Sequence, residues 1–191
     1  MKKSIKIIII VVVAIVLLLI AGRFFILKPA NKPESNLNIT SSQELINIIG
    51  KIYASQQNML PNLQTQEIDV NNQEMVKNFT GVENNKDFEY LVVSEPMMSS
   101  QAYSFVLAKV KSGVDANAVA KKMLDNIDIR KWICVSAEKV YATNSDDVIC
   151  LVMSNQETAK SVYEEFKKVA GSVGKEYERS GEAVELPEDM Y

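Results

Sequence analysis

Several short segments of the chain carry side chains that could support chemistry. The segment Ser136-Ala137-Glu138-Lys139 has the spacing at which a lysine one helical turn away can activate a serine nucleophile. Lys139 begins an extended segment, however, and residues three apart in a strand point to opposite faces. The sequence therefore favours a chance match, and it predicts no catalytic residue.

Oxygen and sulfur atoms that could bind a metal occur in two places. Asn144, Asp146 and Asp147 could offer oxygen atoms to a hard cation, but Ca²⁺ prefers six to eight oxygens and no terminal bidentate glutamate follows. Turn formation explains the same residues. Met97 and Met98 could form a soft-metal site or an adaptable contact surface, and packing at a loop edge is the alternative. The sequence predicts no metal site and no cofactor.

The segment Arg130–Trp132 places the single tryptophan beside two cations at a predicted helix end. Such a group could contribute to a ligand pocket or to a partner contact. The apolar residues that follow Trp132 favour a core-entering segment instead. We take Met97, Met98, Arg130 and Trp132 as the candidate partner-contact residues.

The chain contains no histidine and only two cysteines. The absence of histidine excludes Ser-His-Asp and Cys-His catalysis and histidine ligation of metals. Two cysteines are too few for a thiolate zinc site or an iron–sulfur cluster. Cys134 and Cys150 could form a disulfide in an exported domain, but the apolar neighbours of Cys150 favour a buried free thiol.

The N-terminal segment has the pattern of a membrane anchor. A basic start, 1–6, precedes the run Ile7–Gly22, which has no charged, amide or hydroxyl side chain, and Phe24–Leu27 can extend the span. A cleaved secretory peptide is the alternative, but no A-x-A site follows, and Arg23 stands where a lipoprotein would have its lipidated cysteine. We predict a cytoplasmic tail over 1–6, a single transmembrane anchor over 7–27, and an extracytoplasmic C-terminal part.

Charge is distributed unevenly along the chain. The whole chain has 21 basic and 24 acidic residues, and five of the basic residues and none of the acidic ones lie in 1–28. The remainder therefore has a net charge of −8. Because such a field repels nucleic acid and anionic polymers, we expect no nucleic-acid partner.

After the anchor, composition predicts one domain between two polar segments. Residues 28–40 contain prolines and lack periodicity, which is typical of a linker. Residues 41–171 have the hydrophobic patterns of a compact domain. The glycines, proline and acidic residues of 172–191 predict a mobile tail.

Periodicity divides the domain into helices and strands. Helices are predicted from a capping box at Ser41 to Pro61, around Met75–Phe79 up to Gly81, over 114–130 with Asp115 as cap, and from a second capping box at Ser154 to Gly171. Extended segments are predicted over 67–70, 88–94, 102–111, 139–143 and 148–153, the last four as two hairpins.

These elements predict an α+β fold. From residue 88 onward the order is strand-strand-helix-strand-strand-helix, a ββαββα-like core with a largely antiparallel sheet. We expect its two helices to cover one face of the sheet and to leave the other face for solvent or the first helix.

Four segments resemble a family of exported domains from Gram-positive bacteria. They are Glu89–Ala102 with its Met-Met-Ser loop, Ala108–Gly113, Arg130, and the hairpin that leads to Val148–Val152. Members are mostly short lipoproteins or single-pass membrane proteins, catalogued only as a domain of unknown function. The likeness covers roughly 42–170 and supports fold and location without supplying a catalytic residue.

The chain departs from that family at two points. It has no lipobox cysteine, and it carries Tyr103 and Ser104 where relatives often have an acidic residue.

The sequence favours a non-enzymatic, membrane-anchored module of the cell envelope that binds or scaffolds an envelope protein partner. The alternative is an envelope enzyme that acts on peptide or glycan with two carboxylates converging in a cleft. The sequence does not fix the oligomeric state.

Overall fold

The computed structural model describes residues 35–56 and 62–181, and within these ranges the chain folds as an α+β domain. The helices are α1 Ser42–Tyr53, α2 Gln73–Thr80, α3 Ala116–Asn126 and α4 Gln156–Ala170, with a 3₁₀ turn at Asn85–Asp87. The strands are β1 Leu63–Glu67, β2 Phe88–Pro96, β3 Ser104–Val110, β4 Lys139–Ser145, β5 Val148–Ser154 and β6 Tyr177–Ser180.

Local sequence signals fix most helix ends. Ser41 and Glu44 form the predicted capping box of α1, and Asp115 accepts hydrogen bonds from the first turn of α3. Gly81 ends α2 with a left-handed φ of 72°. A side chain at Gly81 would also meet the backbone of Asn126 and Ile127 at 2.5 Å, so the close approach of α2 to the end of α3 requires glycine.

The second predicted capping box does not form. Asn155 caps α4 by accepting from the Thr158 backbone N–H. Ser154 belongs to β5, and its hydroxyl donates instead to the Ala102 carbonyl at 2.9 Å. Strand β5 therefore extends one residue further than the sequence pattern predicts.

The six strands form one antiparallel sheet in the order β1-β2-β3-β5-β4-β6. Both predicted hairpins, β2–β3 and β4–β5, are confirmed. β3 and β5 pair at the centre, with Ser104 opposite Met153 and Lys109 opposite Val148. Every residue of β5 is buried, as expected for a strand covered on both sides.

Alternate residues of the strands supply two separate cores. The α3 face carries Val106, Ala108, Ile149 and Leu151 and is covered by α2 and α3. The α4 face carries Phe105, Leu107, Cys150 and Val152 and is covered by α1 and α4.

The expectation that α3 and α4 share one face is therefore wrong. They lie on opposite faces, because β3 and β5 are apolar at successive positions and each face needs its own cover.

The predicted linker, 28–40, also ends earlier than expected, because residues 35–40 pack on the domain. Ile39 is buried in the α4-face core, the Asn36 N–H donates to the Ala170 carbonyl at 2.9 Å, and the Lys109 ammonium donates to the Ile39 carbonyl. The chain thus joins the domain at the end of the sheet that holds the β4–β5 turn, which we call the closed end.

Part of the predicted mobile tail, 172–191, is an ordered edge strand. β6 pairs with β4, and the Arg179 guanidinium donates to the carbonyls of Asp125 and Ile127 at 2.8 and 2.6 Å. These bonds satisfy carbonyls at the C-terminal end of α3. Residues 182–191 lie outside the described residues.

Within 35–56 and 62–181, the structure contains no helix of the length and apolar character needed to cross a membrane. The predicted anchor, 7–27, lies outside these ranges.

Candidate functional site

The four candidate contact residues lie at the end of the sheet opposite the closed end, which we call the open end. β2 ends there at Pro96 and β3 begins there at Ser104, and the loop between them carries Met97 and Met98. These two side chains are 76% and 63% exposed. They do not pack at the loop edge.

The segment 127–138 crosses the same end between α3 and β4. The Ile133 N–H donates to the Ser99 carbonyl at 2.9 Å, which joins this segment to the β2–β3 loop. Ile133 is 65% exposed, whereas Trp132 is half-buried and packs on the α3-face core. Arg130 is exposed and forms no ion pair with the described residues.

A cleft of about 550 Å³ adjoins this end on the α3 face. Met75 and Phe79 of α2 line one side, and Asn126 and Asp128 line the other. Met75 is 37% exposed. The cleft exists because α2 is only two turns long and leaves the C-terminal end of α3 partly uncovered.

Lys131 contacts several segments at the open end, although the sequence analysis noted it only as one of the two cations beside Trp132 and did not take it as a contact residue. Its side chain is 9% exposed and forms an ion pair with Glu95. The ammonium lies 4.9 Å from the Phe79 ring centroid and 5.5 Å from that of Trp132. Burial lowers the pKa of Lys131, and the neighbouring Glu95 carboxylate acts in the opposite direction.

Lys131 also donates to the Ser104 hydroxyl at 3.4 Å. This serine–lysine contact does not form a nucleophilic site, because Ser104 is 1% exposed and Glu95 favours the charged lysine. In the sequence, the sign that Lys131 is buried was the run of apolar residues after Trp132.

The serine–lysine spacing at Ser136 and Lys139 and the oxygen-rich turn at Asn144–Asp147 make contacts that belong to the fold. The Lys139 ammonium bonds Glu178 and Ser180 at 3.2 Å each, and no contact joins it to Ser136 among the described residues. The Asn144 amide donates to the Asp146 carbonyl at 2.8 Å within the β4–β5 turn. In the part of the chain that the structure describes, no three His, Cys, Asp or Glu side chains are grouped to hold a metal ion.

Both cysteines are free thiols. Cys134 is exposed at the open end with a φ of 59°, and Cys150 is buried in β5. Burial raises the pKa of the Cys150 thiol well above its ordinary value of 9.0, which makes it an inert core residue.

A second cleft, of about 380 Å³, lies between α4 and the edge strand β6. Tyr141 of β4 lines it, and Tyr163 of α4 stacks on Tyr141 with ring centroids 4.9 Å apart. Glu164 and Glu176 also line it and both contact Lys167, at 2.9 and 3.0 Å. The two carboxylates therefore lie within about 6 Å of each other, a spacing that the sequence could not show.

The hydrogen bond from Lys167, assisted by the Tyr163 hydroxyl at 3.0 Å, holds the pKa of Glu176 below its ordinary value of 4.5. A glycosidase-type general acid needs a raised pKa. The Glu176 carboxylate is therefore held in its ionised form.

No protein-family model matches the chain, and comparison with curated proteins and with solved structures finds no similar sequence or fold.

Proposed function

We propose that this chain is a non-enzymatic binding module of the bacterial cell envelope, anchored in the membrane by 7–27, that contacts a protein partner through the open end of its sheet. One observation carries the proposal. The large apolar side chains that are exposed among residues 35–56 and 62–181 are Met75, Met97, Met98 and Ile133, and all belong to the open end or its adjoining cleft.

The chemistry of this surface suits a protein. Three of its four apolar side chains are methionines, whose flexible thioethers adapt to different partner surfaces. Arg130 adds an exposed cation that can pair with a partner carboxylate. Exposed apolar groups collected at one place are typical of protein contact sites.

The position of the surface supports the same conclusion. Residues 35–40 join the domain at the closed end, and Lys109 and Ser145 hold that segment there. The seven residues of β3 separate the two ends by about 20 Å. Residues 35–40 therefore do not cover the open end.

Site-specific photocrosslinking in intact cells tests the partner contact. A photoreactive phenylalanine derivative replaces Met98 or Ile133, and the same derivative at exposed Lys51 of α1 is the control. We expect both open-end positions to capture the same protein, and Met97→Glu to abolish capture. Equal capture at position 51, or none at 98 and 133, would contradict the proposal; capture of a second copy of the chain would replace the envelope partner with self-association.

Protease protection tests the anchor. Protease added to intact protoplasts should digest the C-terminal domain and leave a fragment containing 7–27 in the membrane. Survival of the domain in intact protoplasts, or its release with a new N-terminus, would contradict the anchored arrangement.

The enzyme alternative finds no support in the carboxylate pair of the second cleft. Glu164 and Glu176 share Lys167, which favours the ionised form of Glu176 and opposes a proton-donor role.

A further inference from the structure

The two edges of the sheet differ in how they are protected against further strand pairing. The edge strand β6 carries Glu178, which pairs with Lys139, and Arg179, whose guanidinium bonds the end of α3. The opposite edge strand, β1, pairs with β2 in a continuous register and contains no lysine, arginine or proline. Charges, prolines and bulges are the usual protections of an edge strand, and β1 has only the charge of Glu67 at its end.

The backbone of β1 presents unpaired hydrogen-bonding groups along this edge. Immediately after β1, the Ile68 N–H donates to the Leu91 carbonyl at 2.8 Å. Because bonded and non-bonded pairs alternate along antiparallel strands, the N–H and C=O groups of Leu63, Thr65 and Glu67 point away from β2. No residue in 35–56 or 62–181 bonds these outward groups.

The free edge of β1 continues into the open end. β1 begins beside the β2–β3 loop, where the Met97 N–H donates to the Asn62 carbonyl at 3.4 Å. Leu63 is half-buried against the α4-face core, and Gln64 and Gln66 are exposed on the other side of the strand. A segment paired with β1 would lie beside an apolar side chain on one face and beside amide groups on the other, close to the exposed methionines.

We infer that β1 is the strand-pairing edge of the domain: the envelope partner contributes an extended, uncharged polypeptide segment that bonds the outward backbone groups of β1 and becomes a seventh strand of the sheet. The regularly spaced donors and acceptors of a strand edge are matched by another extended backbone, and alternate side chains supply specificity. The inference rests on the proposed function, because it assigns the partner of the open end a strand beside β1.

A second copy of the chain fits this edge less well than a separate partner. In a two-fold dimer the two β1 strands run antiparallel, so the two closed ends point in opposite directions. Each closed end holds residues 35–40, which follow the proposed anchor, 7–27. The seven residues 28–34 span at most about 25 Å, and the sheet is about 30 Å long over the nine residues of β2. Two copies paired in this way could not both hold their closed ends toward one membrane.

Photocrosslinking of the full-length chain in intact cells tests this inference. The photoreactive phenylalanine derivative replaces Gln66 on β1, and the same derivative at Glu178 on β6 is the matched control. We expect position 66 to capture the same protein as positions 98 and 133, and position 178 to capture none.

A pair of variants separates strand pairing from side-chain contact. Thr65→Pro removes one outward N–H and places a ring at the edge, and edge strands tolerate proline where the N–H faces solvent. Thr65→Ala loses the bond of the side chain to the Ser94 hydroxyl, at 2.9 Å, but keeps the N–H. We expect Thr65→Pro to lower capture at position 66 at least about tenfold, and Thr65→Ala to leave it unchanged.

A second pair of variants covers the case in which Thr65→Pro fails to fold. Glu67→Pro and Glu67→Ala make the same comparison, because Glu67 is exposed and its N–H also points outward.

No capture at position 66, or equal capture at position 178, would overturn the inference whether or not positions 98 and 133 capture a protein. Capture at 66 that Thr65→Pro leaves intact, or that Thr65→Ala lowers equally, would overturn strand pairing and leave the proposed function standing. Capture of a second copy of the chain would replace the partner segment with self-association. Proline-sensitive capture of another protein at 66, without capture at 98 or 133, would support the strand edge and contradict the contact at the open end.

Discussion

The two faces of the sheet are built from the same strands but differ in chemistry. The core of the α3 face consists of aliphatic side chains, such as Val106 and Leu151, together with phenylalanines and methionines, and among the described residues it contains no fully buried tyrosine or thiol. The α4 face holds larger side chains and buried titratable groups, among them Tyr103 and Cys150. In the part of the chain that the structure describes, successive residues of one strand have therefore produced one core without buried tyrosine hydroxyls or thiols and one core that contains them.

Tyrosine hydroxyls and a thiol are tolerated on the α4 face because they stay neutral. The Tyr53 and Tyr103 hydroxyls lie 2.9 Å apart and bond each other. Burial raises the pKa of both tyrosines, as it does for the Cys150 thiol. The α3 face has its titratable group, Lys131, at its rim and already paired with Glu95. The difference predicts distinct responses of the two faces to pH and to substitution.

The largest expected effect is alkaline destabilisation through the α4 face. A raised folded-state pKa contributes stability that is complete below the unfolded pKa, here 9.0 for Cys150 and 10.0 for Tyr53 and Tyr103, and is lost as the pH rises further. Each group can cost at most about 1.4 kcal/mol per pH unit between its unfolded and its folded pKa, so the loss begins above pH 9 with Cys150 and steepens above pH 10 with the two tyrosines. Urea denaturation across pH 8–11 measures this loss.

The matched variant for this test is Cys150→Ala, which should reduce the loss of unfolding free energy between pH 9 and 10 by up to about 1 kcal/mol. Lys131 acts in the opposite sense, because its lowered pKa lets the folded state release a proton before the unfolded chain does. If the free energy of unfolding of Cys150→Ala falls with pH as steeply as that of the wild-type protein, the thiol has the same pKa in the folded and the unfolded state.

The next largest effect concerns the rim of the α3 face. Glu95→Ala leaves the charge of Lys131 buried between Phe79 and Trp132 without its partner. We expect this substitution to lower the free energy of unfolding by about 3–5 kcal/mol. The double variant Glu95→Gln with Lys131→Met removes both charges and should lower the free energy of unfolding much less. Equal losses in the two variants would mean that side-chain packing, and not the unpaired charge, sets the cost.

A smaller effect is expected at the centre of the α4 face. Cys150→Ser buries a hydroxyl without a guaranteed hydrogen-bond partner and should lower the free energy of unfolding by about 1–3 kcal/mol, and Cys150→Ala should lower it less.

Because Cys134 and Cys150 are free thiols, reductant should leave the melting temperature unchanged. A large drop with reductant, together with the mass deficit of two hydrogens, would contradict the free-thiol state.

The smallest effect is expected at the open end, which belongs to neither core. Met97→Ser and Met98→Ser should change the free energy of unfolding by no more than about 0.5 kcal/mol, since both side chains are mostly exposed. Equilibrium urea denaturation checks this. A loss above about 1 kcal/mol would show that these methionines stabilise the fold, and would weaken the proposed contact role.

The sequence by itself determined the elements with strong local signals. The Ser41–Glu44 capping box, the Asp115 cap, Gly81 and the turn before Val148 act over a few residues, so their outcome does not depend on the rest of the chain. The two hairpins and the α+β class follow from these signals and the apolar runs between them.

Only the tertiary structure decided how the elements combine. Apolar runs show that a strand is buried but not which helix covers which face, so the separation of α3 from α4 was not predictable. β6 was missed because three of its four residues are charged or polar, and the strand gains stability from β4 and from the Arg179 contacts with α3. Lys131 looks like a surface residue in sequence, because burial and the partner that compensates it arise only when distant segments meet.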